Sequence, residues 1–254
     1  MSASERTQTR GPAKSKNRPL KTLERVLSKA GVGSRVEARR WIHDGRVKVN
    51  GTVTRNPDHW VDMQHDRVRL DDEPLVARER LYLLLYKPPG YLTTYKDPEG
   101  RPTVYDLIAD LGTFVSPVGR LDLDTSGLLL MTNDNQFAER VTNPTSHVPK
   151  TYLVKASVVL TDAQLQALRD GVELSDGPTR PATVVRVRDS AKHTHLEITL
   201  TEGRNRQVRR MVEAVGARVL KLVRVKLGSL GIGTLPIGQW RLLTTAEVAG
   251  FSRT

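Results

Sequence analysis

Two carboxylates and a cation crowd one short run, Gly119-Arg120-Leu121-Asp122-Leu123-Asp124-Thr125-Ser126-Gly127, which leads into the apolar stretch Leu128-Leu129-Leu130-Met131. A polar, glycine-bracketed turn at the mouth of a strand is a place where a carboxylate can act as nucleophile or base. The same residues also form ordinary turns, since Asp and Gly are turn formers and Thr125 or Ser126 can cap the bend. Asp124-Thr125-Ser126-Gly127 imitates the aspartic-protease signature, but that chemistry needs two such loops sharing a proton, and the sequence holds one copy. Only a homodimer would supply the second. Two further segments carry candidate groups. Tyr152 stands in Lys150-Thr151-Tyr152-Leu153-Val154, and Arg204, Arg206, Arg209 and Arg210 cluster around a helical pattern marked by Val208, Met211, Val212 and Val215. On that helix Arg206, Arg209, Arg210 and Glu213 share the face opposite Val208 and Met211, which reads equally as a solvated basic stripe.

Composition narrows the chemistry. The 254 residues include no cysteine, which excludes disulfides, thiolate metal sites, iron–sulfur clusters and a Cys nucleophile. The six histidines lack metal-ligand spacing, so no metal and no cofactor is expected. His193 and His195 alternate on a strand pattern and are expected at the surface. No long uncharged apolar run is present, so no membrane span is expected. Forty Lys and Arg against 28 Asp and Glu leave a net charge of +12, which favours a polyanionic partner through counterion release. The excess is concentrated: residues 21–49 hold eight basic and three acidic residues, and 203–226 hold eight basic residues against Glu213 alone.

The elements that must position these groups follow from periodicity. Residues 1–20 carry five basic residues, one acid and almost no apolar side chains, and are expected to be a disordered basic arm. The arm lacks the apolar centre of a secretory signal and the amphipathic period of a transit peptide. Leu23, Val26, Leu27 and Ala30 line one face of a helix that Gly31 stops. Ser34 and Glu37 form a capping box for a second helix, with Ala38, Trp41 and Ile42 inward and Arg35, Arg39 and Arg40 outward. The alternation Val47 to Val53 around Asn50-Gly51 predicts a tight hairpin. A charged run, Arg78-Glu79-Arg80, marks the boundary between a small module over 21–80 and a larger one over 81–254. In the latter, strand patterns at 81–86, 128–131, 151–159, 183–187, 196–200 and 219–225 mix with few helices, one opened by a Thr161–Gln164 capping box. This predicts an α+β fold on a mixed or antiparallel sheet.

Resemblance adds to this reading. The run Leu27 to Ala38, with Ile42 and Gly45-Arg46-Val47-Lys48-Val49-Asn50-Gly51, resembles the RNA-binding domain named for ribosomal small-subunit protein four. That resemblance implies RNA over DNA, with Arg25, Lys29, Arg35, Arg39, Arg40, Arg46 and Lys48 as candidate contacts. Lys87-Pro88-Pro89-Gly90, the Gly119-Arg120-Leu121-Asp122 run, Lys150-Thr151-Tyr152, Glu202-Gly203-Arg204-Asn205-Arg206-Gln207-Val208-Arg209-Arg210-Met211 and Gly238-Gln239-Trp240-Arg241 occur in order. Together they resemble the RsuA/RluB type of pseudouridine synthase, which modifies ribosomal RNA. The resemblance implies a synthase domain with a mixed, largely antiparallel sheet and a central cleft. It implies Asp122 as the catalytic carboxylate, Arg209 as its cationic partner and Tyr152 stacked on the target uracil. Arg120, Lys150, Arg204, Arg206 and Arg210 are expected on RNA. The expected substrate is structured ribosomal RNA, free or in a pre-ribosomal particle, of the large subunit by overall similarity. The expected protein is a cytoplasmic monomer. A non-catalytic ribosome-assembly factor, and a synthase for small-subunit ribosomal or transfer RNA, are the alternatives.

Overall fold

The computed structural model describes residues 20–76 and 79–251, so the basic arm, apart from Leu20, lies outside the described residues. The chain divides into two compact units, Met1–Ala77 and Arg78–Thr254.

In the first unit, β1 (Leu20–Thr22) leads into α1 (Leu23–Lys29) and α2 (Arg35–His43), followed by β2 (Val47–Val49), β3 (Thr52–Val53), β4 (Trp60–Asp62), β5 (Val68–Leu70) and β6 (Glu73–Pro74). Strands β3, β2, β5 and β6 make an antiparallel sheet, and β1 pairs separately with β4. Ser34 and Glu37 form the reciprocal cap that opens α2. Asn50 and Gly51 both adopt positive φ, as a two-residue hairpin matched to strand twist requires. Leu23, Val26, Leu27, Ala38 and Ile42 pack against Val47 and Val61, closing a small core between helices and strands.

The second unit begins with β7 (Tyr82–Lys87), β8 (Ser116–Pro117), β9 (Ser126–Thr132), α3 (Asn135–Thr142) and β10 (Lys150–Ala156). It continues through α4 (Asp162–Asp170), β11 (Glu173–Leu174), β12 (Gly177–Pro178), β13 (Thr183–Asp189), β14 (Thr194–Leu200) and α5 (Gln207–Ala214). Last come β15 (Val219–Leu227), β16 (Leu230–Gly231), β17 (Trp240–Leu242) and α6 (Thr245–Gly250). The main sheet runs β13-β14-β10-β15-β9-β7-β17, with β8 and β16 attached at β9 and β15. Every pairing is antiparallel except β9 with β15. The fold is therefore α+β on a mixed, largely antiparallel sheet.

Strands β7 and β9 are covered on both faces. Leu84, Leu128 and Leu130 pack with α3 and Phe251 on one side, while Leu83, Leu85, Leu129 and Met131 pack with Val104, Ile108 and Val115 on the other. Burial on both faces explains why Leu128 to Met131 reads as an unbroken apolar run. Around β10, β13, β14 and β15 one face carries α4 and α5 through Leu165, Leu168, Val208 and Met211. The parallel seam needs Gly127. Its φ is +115°, and a Cβ there would lie 2.3 Å from the Arg224 carbonyl oxygen. Only glycine lets β9 approach β15 this closely.

Candidate active site

The turn from Gly119 to Thr125 joins β8 to β9 and lies over the carboxyl end of β7. It is tied down by three neighbours. The Gly90 amide donates to the Leu123 carbonyl at 2.8 Å, and the Thr93 hydroxyl donates to the Leu121 carbonyl at 2.8 Å. The third is Lys87, which is wholly buried and whose Nζ donates to the carbonyls of Thr125 (2.8 Å), Pro88 (3.0 Å) and Asp122 (3.1 Å). An ammonium surrounded by main-chain oxygens dictates where those peptides point. Burial lowers the Lys87 pKa to about 8, against the pull of Asp122 and Asp124, which favour the charged form.

Asp122 stands at the edge of a cleft of about 420 Å³, which Tyr152 and Arg120 also line. Its side chain is 28% exposed, so the acid can meet a substrate without being surrounded by solvent. The nearest cation is Arg206, whose Nη1 lies 3.8 Å from Asp122 Oδ2. Arg206 precedes α5 in a left-handed conformation, φ 46° and ψ 33°. Such a backbone costs about 1 kcal/mol or more for a residue with a side chain. It bends the chain into α5 at the cleft, where the guanidinium donates to both carboxylate oxygens of Asp124 at 3.1 and 3.2 Å.

Arg209, expected beside Asp122, is instead committed to Asp124. In the first turn of α5 it is 8% exposed, and its Nη2 lies 3.0 Å from the Asp124 carbonyl and 3.1 Å from Asp124 Oδ2. Its Nη1 donates to the Val219 carbonyl at 3.4 Å. The reason is placement. Arg209 lies on the part of α5 that faces the sheet, so it reaches the turn from inside, whereas Arg206 reaches it from the rim. The solvated-stripe reading fails for Arg209 on the same ground. Burial alone would raise the Asp124 pKa, but Arg206 and Arg209 together hold it below the usual carboxylate value. Asp124 thus absorbs both guanidinium groups. The Asp122 carboxylate accepts no hydrogen bond among the described residues and remains available to a ligand.

Tyr152 is half-buried on β10, with Ile198 of β14 and Arg224 of β15 as its cross-strand partners. Arg204 donates to the carbonyls of Gly177 (2.8 Å) and Pro178 and lies 3.4 Å from Glu202. Arg210 forms a two-pronged contact with Asp176 at 2.7 and 3.1 Å. Arg120 lines the cleft without an acidic partner among the described residues. In the first unit, Arg35 and Arg39 both bond to the buried Glu24, Arg46 donates to Asp71 at 2.8 Å, Lys48 binds Asp72 and Arg40 lies 4.0 Å from Asp44. Arg25 and Lys29 have no such partner among the described residues. Among the described residues no group of three or more His, Asp or Glu is placed to hold a metal ion. His193 and His195, expected at the surface, are half-buried.

Lys87 was legible only as part of a motif. The signal was a lysine ending the apolar strand 81–86, where a long cation is tolerated only if its head finds acceptors.

Residues 81–214 match the family model of RNA pseudouridylate synthases, and residues 22–68 match that of the S4 domain. The chain is 39% identical to ribosomal large subunit pseudouridine synthase B of Bacillus subtilis (strain 168), over 90% of this chain and 94% of that protein. It is 40% identical to the protein of the same name in Escherichia coli (strain K12), over 89% of this chain and 80% of the other. A crystal structure of a pseudouridylate synthase superposes with a TM-score of 0.65 at 31% identity, covering 91% of this chain and 99% of that one. No helix among the described residues is long and apolar enough to cross a membrane.

Proposed function

Since the chain belongs to the RNA pseudouridylate synthase family, we propose that it isomerises a uridine of large-subunit ribosomal RNA, with Asp122 as the catalytic carboxylate. The observation that carries this reading is the Asp122 carboxylate itself. It is open to the cleft that Tyr152 lines and accepts no hydrogen bond among the described residues, while Asp124 takes up Arg206 and Arg209. The names of the Bacillus subtilis and Escherichia coli relatives support the large-subunit substrate.

The reaction breaks the bond from uracil N1 to the ribose C1′, turns the base, and forms a bond from C1′ to C5. The proton displaced from C5 leaves and N1 gains one, so nothing is oxidised. Positive character builds on C1′ as the first bond breaks, and a carboxylate stabilises or captures it, as in glycosidases. Asp122 does this either by attacking C1′ or by removing a proton from the sugar. Deuterium at C2′ separates the two routes, because only proton removal from that carbon gives a primary isotope effect. Tyr152 stacks on the uracil and assists removal of the C5 proton. Tyr152→Phe then keeps RNA affinity while losing turnover.

A uridine in folded RNA must be flipped from its stack, at a cost of a few kcal/mol. The S4 domain, the basic arm and the cations of 203–226 offset that cost through phosphate contacts. The substrate is structured RNA, free or in a pre-ribosomal particle, and the protein acts as a cytoplasmic monomer, which sedimentation of the free protein checks. The central experiment maps pseudouridines in ribosomal and transfer RNA after gene deletion, with wild type or Asp122→Asn restored. One large-subunit site vanishes on deletion and returns only with wild type. A rate for Asp122→Asn within about a hundredfold of wild type contradicts its role.

A further inference from the structure

A second cleft, of about 440 Å³, shares a wall with the first through Arg120, Tyr152 and Arg204. Its chemistry differs. Buried Val118, Val141, Val148 and Leu227 form an apolar floor, and five basic side chains line it against one acid, Glu202.

Glu202 is already spent. Its carboxylate accepts the Arg180 backbone amide at 3.0 Å and the Gln207 side-chain amide, and lies 3.4 Å from Arg204 Nε. That leaves Arg120, Lys150, Arg180 and Arg224 without a carboxylate partner among the described residues. Arg224 is 3% exposed; its Nε donates to the Leu128 carbonyl at 2.8 Å, but its Nη2 is buried with no hydrogen-bond partner among the described residues. Lys150 donates to the Val148 carbonyl at 3.0 Å, and its pKa is lowered, chiefly by burial and then by the charge of Arg224. Arg180 donates to His147 Nδ1 at 2.8 Å, a contact that uses one donor but supplies no negative charge. Buried Arg224 and half-buried Lys150 repel one another without an anion between them, and a single bound anion would remove both the repulsion and the unmet hydrogen-bonding capacity of Arg224. A cationic wall over an apolar floor suits a nucleotide: phosphate on the wall, base on the floor.

We propose that the second cleft is a subsite for the neighbouring nucleotide, holding the phosphodiester that joins it to the isomerised uridine through Lys150, Arg180 and Arg224. The inference rests on the reading that the first cleft takes that uridine, since the wall shared at Tyr152 places the two occupants side by side along one strand.

The test uses the full-length protein and the shortest large-subunit RNA fragment it modifies. An uncharged methylphosphonate replaces the phosphate on either side of the target, or one several nucleotides away. Neutralising one flanking phosphate should weaken binding to wild type about tenfold or more, and the distant one should matter much less. Lys150→Met and the solvent-exposed change Arg180→Gln should each weaken binding of natural RNA and lose most of that flanking sensitivity. Flanking penalties equal to the distant one, or undiminished in both variants, overturn the subsite while pseudouridine still forms. If wild type forms no pseudouridine in any ribosomal RNA, the functional reading fails and this inference falls with it.

Discussion

Asp122 and Asp124 are two positions apart, yet their surroundings divide the labour. Asp124 binds Arg206 and, from inside, Arg209, while the Asp122 carboxylate keeps among the described residues only a 3.8 Å contact with Arg206. Arg209 braces the turn, its planar fork reaching the Asp124 carbonyl, the Asp124 carboxylate and the Val219 carbonyl. A lysine cannot make all three contacts, so Arg209→Lys should lower kcat about tenfold or more with little change in RNA affinity. Unchanged kcat would remove the bracing role. Lys87 supports a prediction in pH. With a folded-state pKa of about 8 against an ordinary 10.5, folded and unfolded chains are both protonated below pH 8, and the cost of burying the charge is fully present there. Between about 8 and 10.5 the unfolded chain holds a proton the folded one has released, so this group's contribution to stability rises with pH. Denaturant unfolding of wild type should show that rise relative to Lys87→Met; parallel curves would count against it. The sequence made Asp122 and Tyr152 visible because their motifs are local. The Arg209–Asp124 contact joins residues far apart in the chain, and no spacing rule encodes which of two nearby acids a guanidinium reaches.

At the scale of elements, Gly127 is the tightest constraint. A Cβ there meets the Arg224 backbone at 2.3 Å, on a φ of +115°. Gly127→Ala should therefore destabilise by about 2 kcal/mol or more and disturb the turn that ends at Thr125, lowering both Tm and activity. A Tm near that of wild type would show that the seam tolerates widening. Helix starts were legible because capping boxes are short-range: Ser34 with Glu37 and Thr161 with Gln164 both form as read. The two-residue strands β11 and β12 left no trace in periodicity, since alternation needs more positions to register. The parallel pairing of β9 with β15 was equally silent, because both segments are simply apolar and the choice of neighbour is made in three dimensions.

Across the whole molecule, charge and core are distributed differently. Each unit closes its own hydrophobic core, and many basic residues of the first unit already have acidic partners: Arg35 and Arg39 share Glu24, and Arg46 and Lys48 meet Asp71 and Asp72. Net charge along the sequence therefore overstates how many cations are free for RNA. Removing residues 1–77 keeps Glu79 and Arg80, whose carbonyl and guanidinium meet Asn133 and Asp134. The truncated protein should fold, bind its RNA at least about tenfold more weakly, show a shallower dependence of log affinity on log salt, and lose less in kcat. Unchanged affinity and salt slope would leave the first unit without a role in binding.

The parallel seam of β9 with β15 also sets a timetable for birth of the enzyme. Strand β9 cannot be flanked correctly until Val219–Leu227 has been made, and Arg209 has no Val219 carbonyl to hold before then. Such distant partnerships form late compared with hairpins and helices. A nascent chain halted after β14 would carry Asp122, Tyr152 and Lys87 but lack the strand that flanks β9, so the turn is fully braced only once β15 has been made.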